Sequence, residues 1–160
     1  MTVAYIGLGS NLLAPKEQVM LAVQALSAVA QCQVIKVSSL YLSKPMGPKD
    51  QDDYINGVLS LSTDLSAVEL LDVLQQIENQ AGRVRKENRW GARVLDCDII
   101  LFGNNIINTP RLTVPHYGMK VREFVLLPLA EIAPTLQLPC GNTVSDLAIQ
   151  INNNGIVKLT

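Results

Sequence analysis

Arg83 to Gly103, RVRKENRWGARVLDCDIILFG, joins a basic, glycine-broken loop to an apolar strand that carries two aspartates. In a strand, successive side chains point to opposite faces. Asp96 and Asp98 therefore project from one face, with Cα atoms about 7 Å apart, and Cys97 points away. Two carboxylates held side by side repel, so one must take up a proton unless a hard divalent cation, matched to oxygen ligands, neutralises both. Magnesium fits that description best. Arg83, Arg85, Lys86, Arg89 and Arg93 lie just upstream, five of the thirteen basic residues of the chain. Guanidinium groups are planar forks matched to phosphate oxygens, and a metal on carboxylates beside them is the usual apparatus for a polyphosphate. Taken alone, the basic run also reads as a solvated loop, and the aspartates as the wet end of a strand. The aspartates lead directly into Ile-Ile-Leu-Phe, however, and apolar strands rarely admit charge without a partner.

A chain of 160 residues suits one domain, with enough core to fold without staples. Cys32, Cys97 and Cys140 are odd in number, far apart and in no C-x-x-C spacing. Neither a disulfide framework nor a zinc site is indicated, and a reducing compartment is expected. The net charge of -1 argues against a general nucleic-acid binder. No stretch reaches the length of a membrane span, and the first residues lack the pattern of a signal peptide. A soluble, cytoplasmic protein without membrane or nucleic-acid partners is the expectation.

Working outward, Val3 to Leu8 reads as a buried strand that ends in Gly7-Leu8-Gly9-Ser10-Asn11. Those residues permit a tight turn but match neither the P-loop nor the dinucleotide fingerprint. Pro15 to Val29 has apolar residues at helical spacing, with Pro15 suited to the first turn. Gln33 to Tyr41 reads as a strand, and Ser43-Lys44-Pro45-Met46-Gly47-Pro48 as a loop. Tyr54 to Thr63 alternates as a strand that puts Tyr54 and Asn56 on one face. There a planar ligand could use a ring to stack on and an amide to bond with. Ser66 and Glu69 form a capping box, Leu70, Leu74, Ile77 and Ala81 mark a buried helix face, and Gly82 is a natural stop. After the aspartate strand, Ile106-Ile107 can pair back. Arg122 to Ile132 reads as a helix containing Pro128, Leu136 to Leu138 as a short edge strand, and Thr143 to Ile151 as a last helix.

Together, GLGSN, the Gly47-Pro48 loop with DYIN, GRVRKENRWGARVLDCDIILFG and RLTVPHYGMKVREFVLLPLAEIAP resemble the 6-hydroxymethyl-7,8-dihydropterin pyrophosphokinases along nearly the whole chain. Arg89 to Ile100 corresponds to that family's signature, R-x-G-x-R-x-x-D-x-D followed by two aliphatic residues. The resemblance implies an α+β fold, a ferredoxin-like antiparallel sheet with helices on both sides in three α-β-α layers, as one domain over residues 1–160. It implies transfer of the diphosphoryl group of ATP to the pterin hydroxymethyl oxygen, leaving AMP, as a step of folate biosynthesis. On it, Asp96 and Asp98 hold two magnesium ions, and Arg83 and Arg93 are catalytic, Arg83 the stronger candidate. ATP is the co-substrate, held by Gln75, Arg85, Lys86, Ile99, Arg111, Thr113, His116, Tyr117 and Arg122. The pterin is bound by Gly9, Ser43, Lys44, Pro45, Met46, Tyr54, Asn56, Trp90 and Phe124, its ring between Tyr54 and Phe124. The loop from Lys86 to Ala92 is expected to close over both substrates and exclude water. A monomer is expected.

The sequence departs from the family pattern at Cys97, where Leu is usual, at Ala92 in place of a common Pro, and at Ser43-Lys44 in place of Thr-Pro. Two other classes share some of these features. A nucleotidyltransferase also pairs an early Gly-Ser with a later D-x-D, but at a much closer spacing than Gly9-Ser10 has from Asp96. A ferredoxin-like RNA-binding module would want a Gly-aromatic stacking motif on the sheet, and none is present.

Overall fold

The computed structural model describes residues 1–12, 14–44, 53–82 and 94–159. The first strand, β1 (Thr2–Ser10), leads into helix α1 (Pro15–Ser27), which begins on Pro15 as expected and buries Val19, Ala22 and Leu26. Two short strands follow, β2 (Cys32–Val37) and β3 (Tyr41–Ser43), and then the long β4 (Tyr54–Thr63). Helix α2 (Ala67–Gln80) starts at the capping box. The Ser66 Oγ accepts the Glu69 N–H at 3.2 Å, and the Glu69 carboxylate accepts the Ser66 N–H at 2.9 Å. Two donors at the helix start are thereby satisfied reciprocally. β5 (Asp96–Phe102) carries the aspartates, and β6 (Ile107–Asn108) and β7 (Thr113–Val114) form a small separate ribbon. A 3-10 turn at Met119–Val121 precedes α3 (Glu123–Ile132); α4 (Val144–Gln150) and β8 (Val157–Lys158) complete the chain.

The main sheet runs β5-β1-β4-β3-β8, every pairing antiparallel, with β2 beside β3 along the same edge of β4. With β2 and β3 counted as one interrupted strand, the chain keeps the expected α+β order of strand-helix-strand-strand-helix-strand. One sheet face supplies Ala4, Ile6, Leu8, Leu59 and Leu61 to a core closed by α1 and α2. The other supplies Val58, Ile100 and Leu101 to a core closed by α3 and α4. Helices thus cover both faces. Among the described residues, no helix is long and apolar enough to cross a membrane.

Four details differ from the reading of the sequence. Gln33 to Tyr41 is not one strand but two, β2 against Leu59–Thr63 and β3 against Tyr54–Asn56. The break lies at Ser39, whose N–H and hydroxyl turn to the Glu131 carboxylate of α3 at 3.0 Å, while the Tyr41 hydroxyl reaches the same carboxylate at 2.7 Å. Burial works to raise the Glu131 pKa, but these donors and the nearby Lys158 hold it below its ordinary value. Leu136 to Leu138 makes only a single bridge, Gln137 to Thr143, because Leu138 donates back to the Asn142 carbonyl and closes a turn. Ile107 pairs with Val114 rather than with β5. β8, which the sequence did not suggest, extends β3 through Leu42 and Val157.

Candidate active site

The register of β5 on β1 puts Asp96 opposite Gly9, Cys97 opposite Leu8 and Asp98 opposite Gly7. The alternation expected from the sequence is realised. Cys97 is buried in the core under α2, while Asp96 is half-buried and Asp98 exposed on the opposite face. The same row continues across the sheet, since Gly9 faces Asn56 on β4 and Asn56 faces Tyr41 on β3. Asn56 is only 6 % exposed, and its amide nitrogen donates to the Ser43 Oγ at 2.5 Å. A Cβ on Gly9 would stand 2.8 Å from the Asn56 Oδ1. Glycine at position 9 therefore makes room for the amide oxygen, and Ser43, Asn56 and Gly9 form one polar unit beside Asp96.

The metal-binding capacity of this face rests on two carboxylates. Among the described residues, no cluster of three or more His, Cys, Asp or Glu side chains could enclose an ion. Two carboxylate donors on one open face suit a cation that takes its remaining ligands from phosphate oxygens and water, which is how magnesium is usually held. They do not suit a structural zinc site.

A second group of candidates gathers around α2 and the segment after β5. The Arg111 guanidinium pairs with the Asp72 carboxylate and donates to the Gln75 Oε1 at 3.3 Å. Two residues expected to hold ATP are thus in contact, with Asp72 orienting Arg111. The exposed Thr113 lies two residues on, in β7. The His116 and Tyr117 rings stack with centroids 4.6 Å apart. The His116 Nδ1 accepts the Gly118 N–H at 3.1 Å, so in the neutral ring the proton sits on Nε2, which serves as a donor. Burial, followed by the Arg122 charge, lowers the His116 pKa to about 4, so the ring is neutral at pH 7. The Arg122 guanidinium lies 5.1 Å from the Tyr117 ring centroid and 5.8 Å from that of Phe124. This cation links an ATP candidate to a pterin candidate.

Phe124 and Tyr54 are half-buried and Lys44 is exposed. The Ile99 side chain is 3 % exposed in the core under α2, on the face opposite the aspartates, so any contact of Ile99 with nucleotide falls to its backbone. Arg83, Arg85, Lys86, Arg89, Trp90, Arg93, Pro45 and Met46 lie outside the described residues. Sequence reasoning missed Asp72 and Glu78. Nothing marks Asp72, an acid on an exposed helix face. Glu78 did leave a signal: four residues after Leu74 and three before Ala81, it is an acid on the buried stripe of α2.

A family model described as 7,8-dihydro-6-hydroxymethylpterin-pyrophosphokinase (HPPK) matches residues 5–134. The chain belongs to the HPPK family. A Haemophilus influenzae protein named 2-amino-4-hydroxy-6-hydroxymethyldihydropteridine pyrophosphokinase is 50% identical over 99% of this chain and 99% of its own. HPPK relatives of the same name from Pseudomonas aeruginosa and Bacillus subtilis are 48% and 43% identical, over 97% and 90% of this chain and 95% and 86% of theirs. Among solved structures, Plasmodium falciparum HPPK-DHPS with pteroate aligns with a TM-score of 0.75 over 94% of this chain at 15% identity. That similarity bears on the fold alone. This chain spans 42% of the Plasmodium chain.

Proposed function

We propose that this HPPK chain transfers the diphosphoryl group of ATP to the hydroxymethyl oxygen of 6-hydroxymethyl-7,8-dihydropterin, giving AMP and the pterin diphosphate. Residues 1–160 act as one domain, as a monomer, in the cytoplasm, where the free thiols of Cys32, Cys97 and Cys140 are at home. The observation that carries the reading is the row of Asp96, Gly9 and Asn56 across one sheet face, which sets a metal-binding carboxylate beside a buried amide able to read a flat heterocycle.

In this scheme the pterin ring lies between Tyr54 and Phe124. Asn56, Ser43 and the backbone around Lys44, Pro45 and Met46 meet its hydrogen-bonding edge, and Gly9 leaves the space. Arg111, oriented by Asp72 and Gln75, binds the nucleotide with Thr113, His116, Tyr117, Arg122 and the backbone of Ile99. Neutral His116 offers its Nε2–H to an acceptor. Asp96 and Asp98 would hold magnesium, two ions in the full complex, which when bound neutralises triphosphate charge and aligns it with the acceptor alcohol. The hydroxymethyl oxygen attacks the β-phosphorus and loses its proton, and the bond from that phosphorus to the α-phosphate oxygen breaks. Arg83 and Arg93 offset charge on the moving group, Arg85 and Lys86 bind the nucleotide, and Trp90 meets the pterin. Excluding water matters here, because water would accept the same diphosphoryl group.

Purified protein with ATP, magnesium and the hydroxymethyl pterin should release AMP and a diphosphorylated pterin in equal amounts. ADP as the product, or free pyrophosphate with an adenylylated pterin, would overturn the proposal and in the second case favour a nucleotidyltransferase.

A further inference from the structure

Glu78 is 4 % exposed, although an acid on the buried stripe of a helix is costly unless its oxygens are occupied. Its Oε2 accepts the Cys97 N–H at 2.8 Å. Cys97 is the residue between the two aspartates. Among the described residues, β5 is also the edge strand of the main sheet, with β1 on one side and no strand on the other. An amide turned to that outer edge has no ladder to join, and a buried donor left unmatched is costly. Glu78 takes the place of the missing strand at this one peptide.

We infer that Glu78 is a positioning residue for the acid pair: by fixing the Cys97 peptide from the core side, it sets the direction and spacing in which Asp96 and Asp98 meet a divalent cation. The peptide plane before Cys97 includes the Asp96 carbonyl, so its orientation sets Asp96 directly and Asp98 through the strand path beyond. The hydrogen bond is buried on the core side of β5, opposite the face that carries Asp96 and Asp98. Residues that orient metal ligands in this indirect way typically change metal affinity about 10- to 100-fold when removed. The inference rests on the metal-binding reading of Asp96 and Asp98.

The test is binding rather than turnover. Manganese, which is paramagnetic, is titrated into wild type, Glu78→Gln, Glu78→Ala and Asp96→Ala in the presence of ATP with a methylene between its α- and β-phosphorus atoms. Free ion is read by electron paramagnetic resonance, and circular dichroism reports folding. Glu78→Ala should weaken manganese binding about tenfold or more. Glu78→Gln keeps an acceptor, though a neutral and weaker one, and should lose only about threefold. A folded Glu78→Ala within twofold of wild type overturns the inference. So does a Glu78→Gln loss as large as that of Glu78→Ala. If the alanine variant does not fold, a Glu78→Gln affinity equal to that of wild type overturns it. Should Asp96→Ala bind manganese as tightly as wild type, the metal-binding reading itself fails, and the Glu78 inference with it.

Discussion

The face of the sheet toward α3 has two halves built on the same three strands. In one, Tyr5, Val58, Ile100 and Leu101 meet Val125, Leu126 and Leu129 in a dry core. In the other, Gly9, Asn56, Asp96 and Asp98 stand in the same rows of the same ladders. The backbone pairing of β1 with β4 runs from Thr2 to Ser10 without a break. The site thus leaves the β1–β4 ladder intact, and a register shift in β5 against β1 falls between the two halves. The site is made by replacing apolar side chains with glycine, amide and carboxylate where the strands run out from under the helix. Stability should reside in one half and chemistry in the other, and four experiments bear on that division.

The largest effect is expected from Asp96→Ala or Asp98→Ala, each lowering turnover about a thousandfold by removing transition-state charge neutralisation. The melting temperature should stay within a few degrees of wild type, because neither carboxylate packs a core. Calorimetry beside a steady-state assay would check both numbers, and a large loss of stability would blur the line between the halves. Leu101→Ala is the mirror experiment. Burial at 2 % exposure predicts a loss of about 2–5 kcal/mol in a denaturant titration. Turnover per folded molecule should change little.

Gly9→Ala falls on the boundary. Its Cβ would meet the Asn56 Oδ1 at 2.8 Å and push the amide from its place beside Ser43. The KM for the pterin should rise about 10- to 100-fold, with a smaller change in the KM for ATP, read from initial rates with each substrate varied in turn. The smallest effect concerns His116. Its pKa near 4 lies below the ordinary 6.5, so the unfolded chain takes up the proton first as the pH falls. The contribution of His116 to stability is complete above pH 6.5 and fades as the pH drops toward 4. An NMR titration should find the ring midpoint near 4, and Arg122→Ala should move it upward.

The parts that follow from local chemistry were legible in the sequence. β4 runs from Tyr54 to Thr63 and α2 begins at the Ser66 capping box, as read, because alternation and capping are properties of neighbouring residues. Asp96 and Asp98 share a face for the same reason. What depends on distant partners was not legible. The interruption between β2 and β3 is imposed by Glu131, ninety-two residues from Ser39 in sequence. β8 exists because β3 offers an edge to the end of the chain. The contact of Arg111 with Asp72 required α2 and the segment after β5 to be neighbours. Glu78 was visible as an acid in an apolar stripe, but its partner was not.

Tyr5 pairs with Leu101 and Ile6 with Ile99, which leaves Ile100 as an extra residue in β5. The Ile100 Cδ1 lies 3.1 Å from where a Cβ on Gly7 would be, so the side chain covers the glycine opposite Asp98. A regular strand would have no residue to spare for this. The added isoleucine works as a bulkhead: Gly9, Asn56 and the aspartates lie on one side of it and the buried leucines of the α3 core on the other.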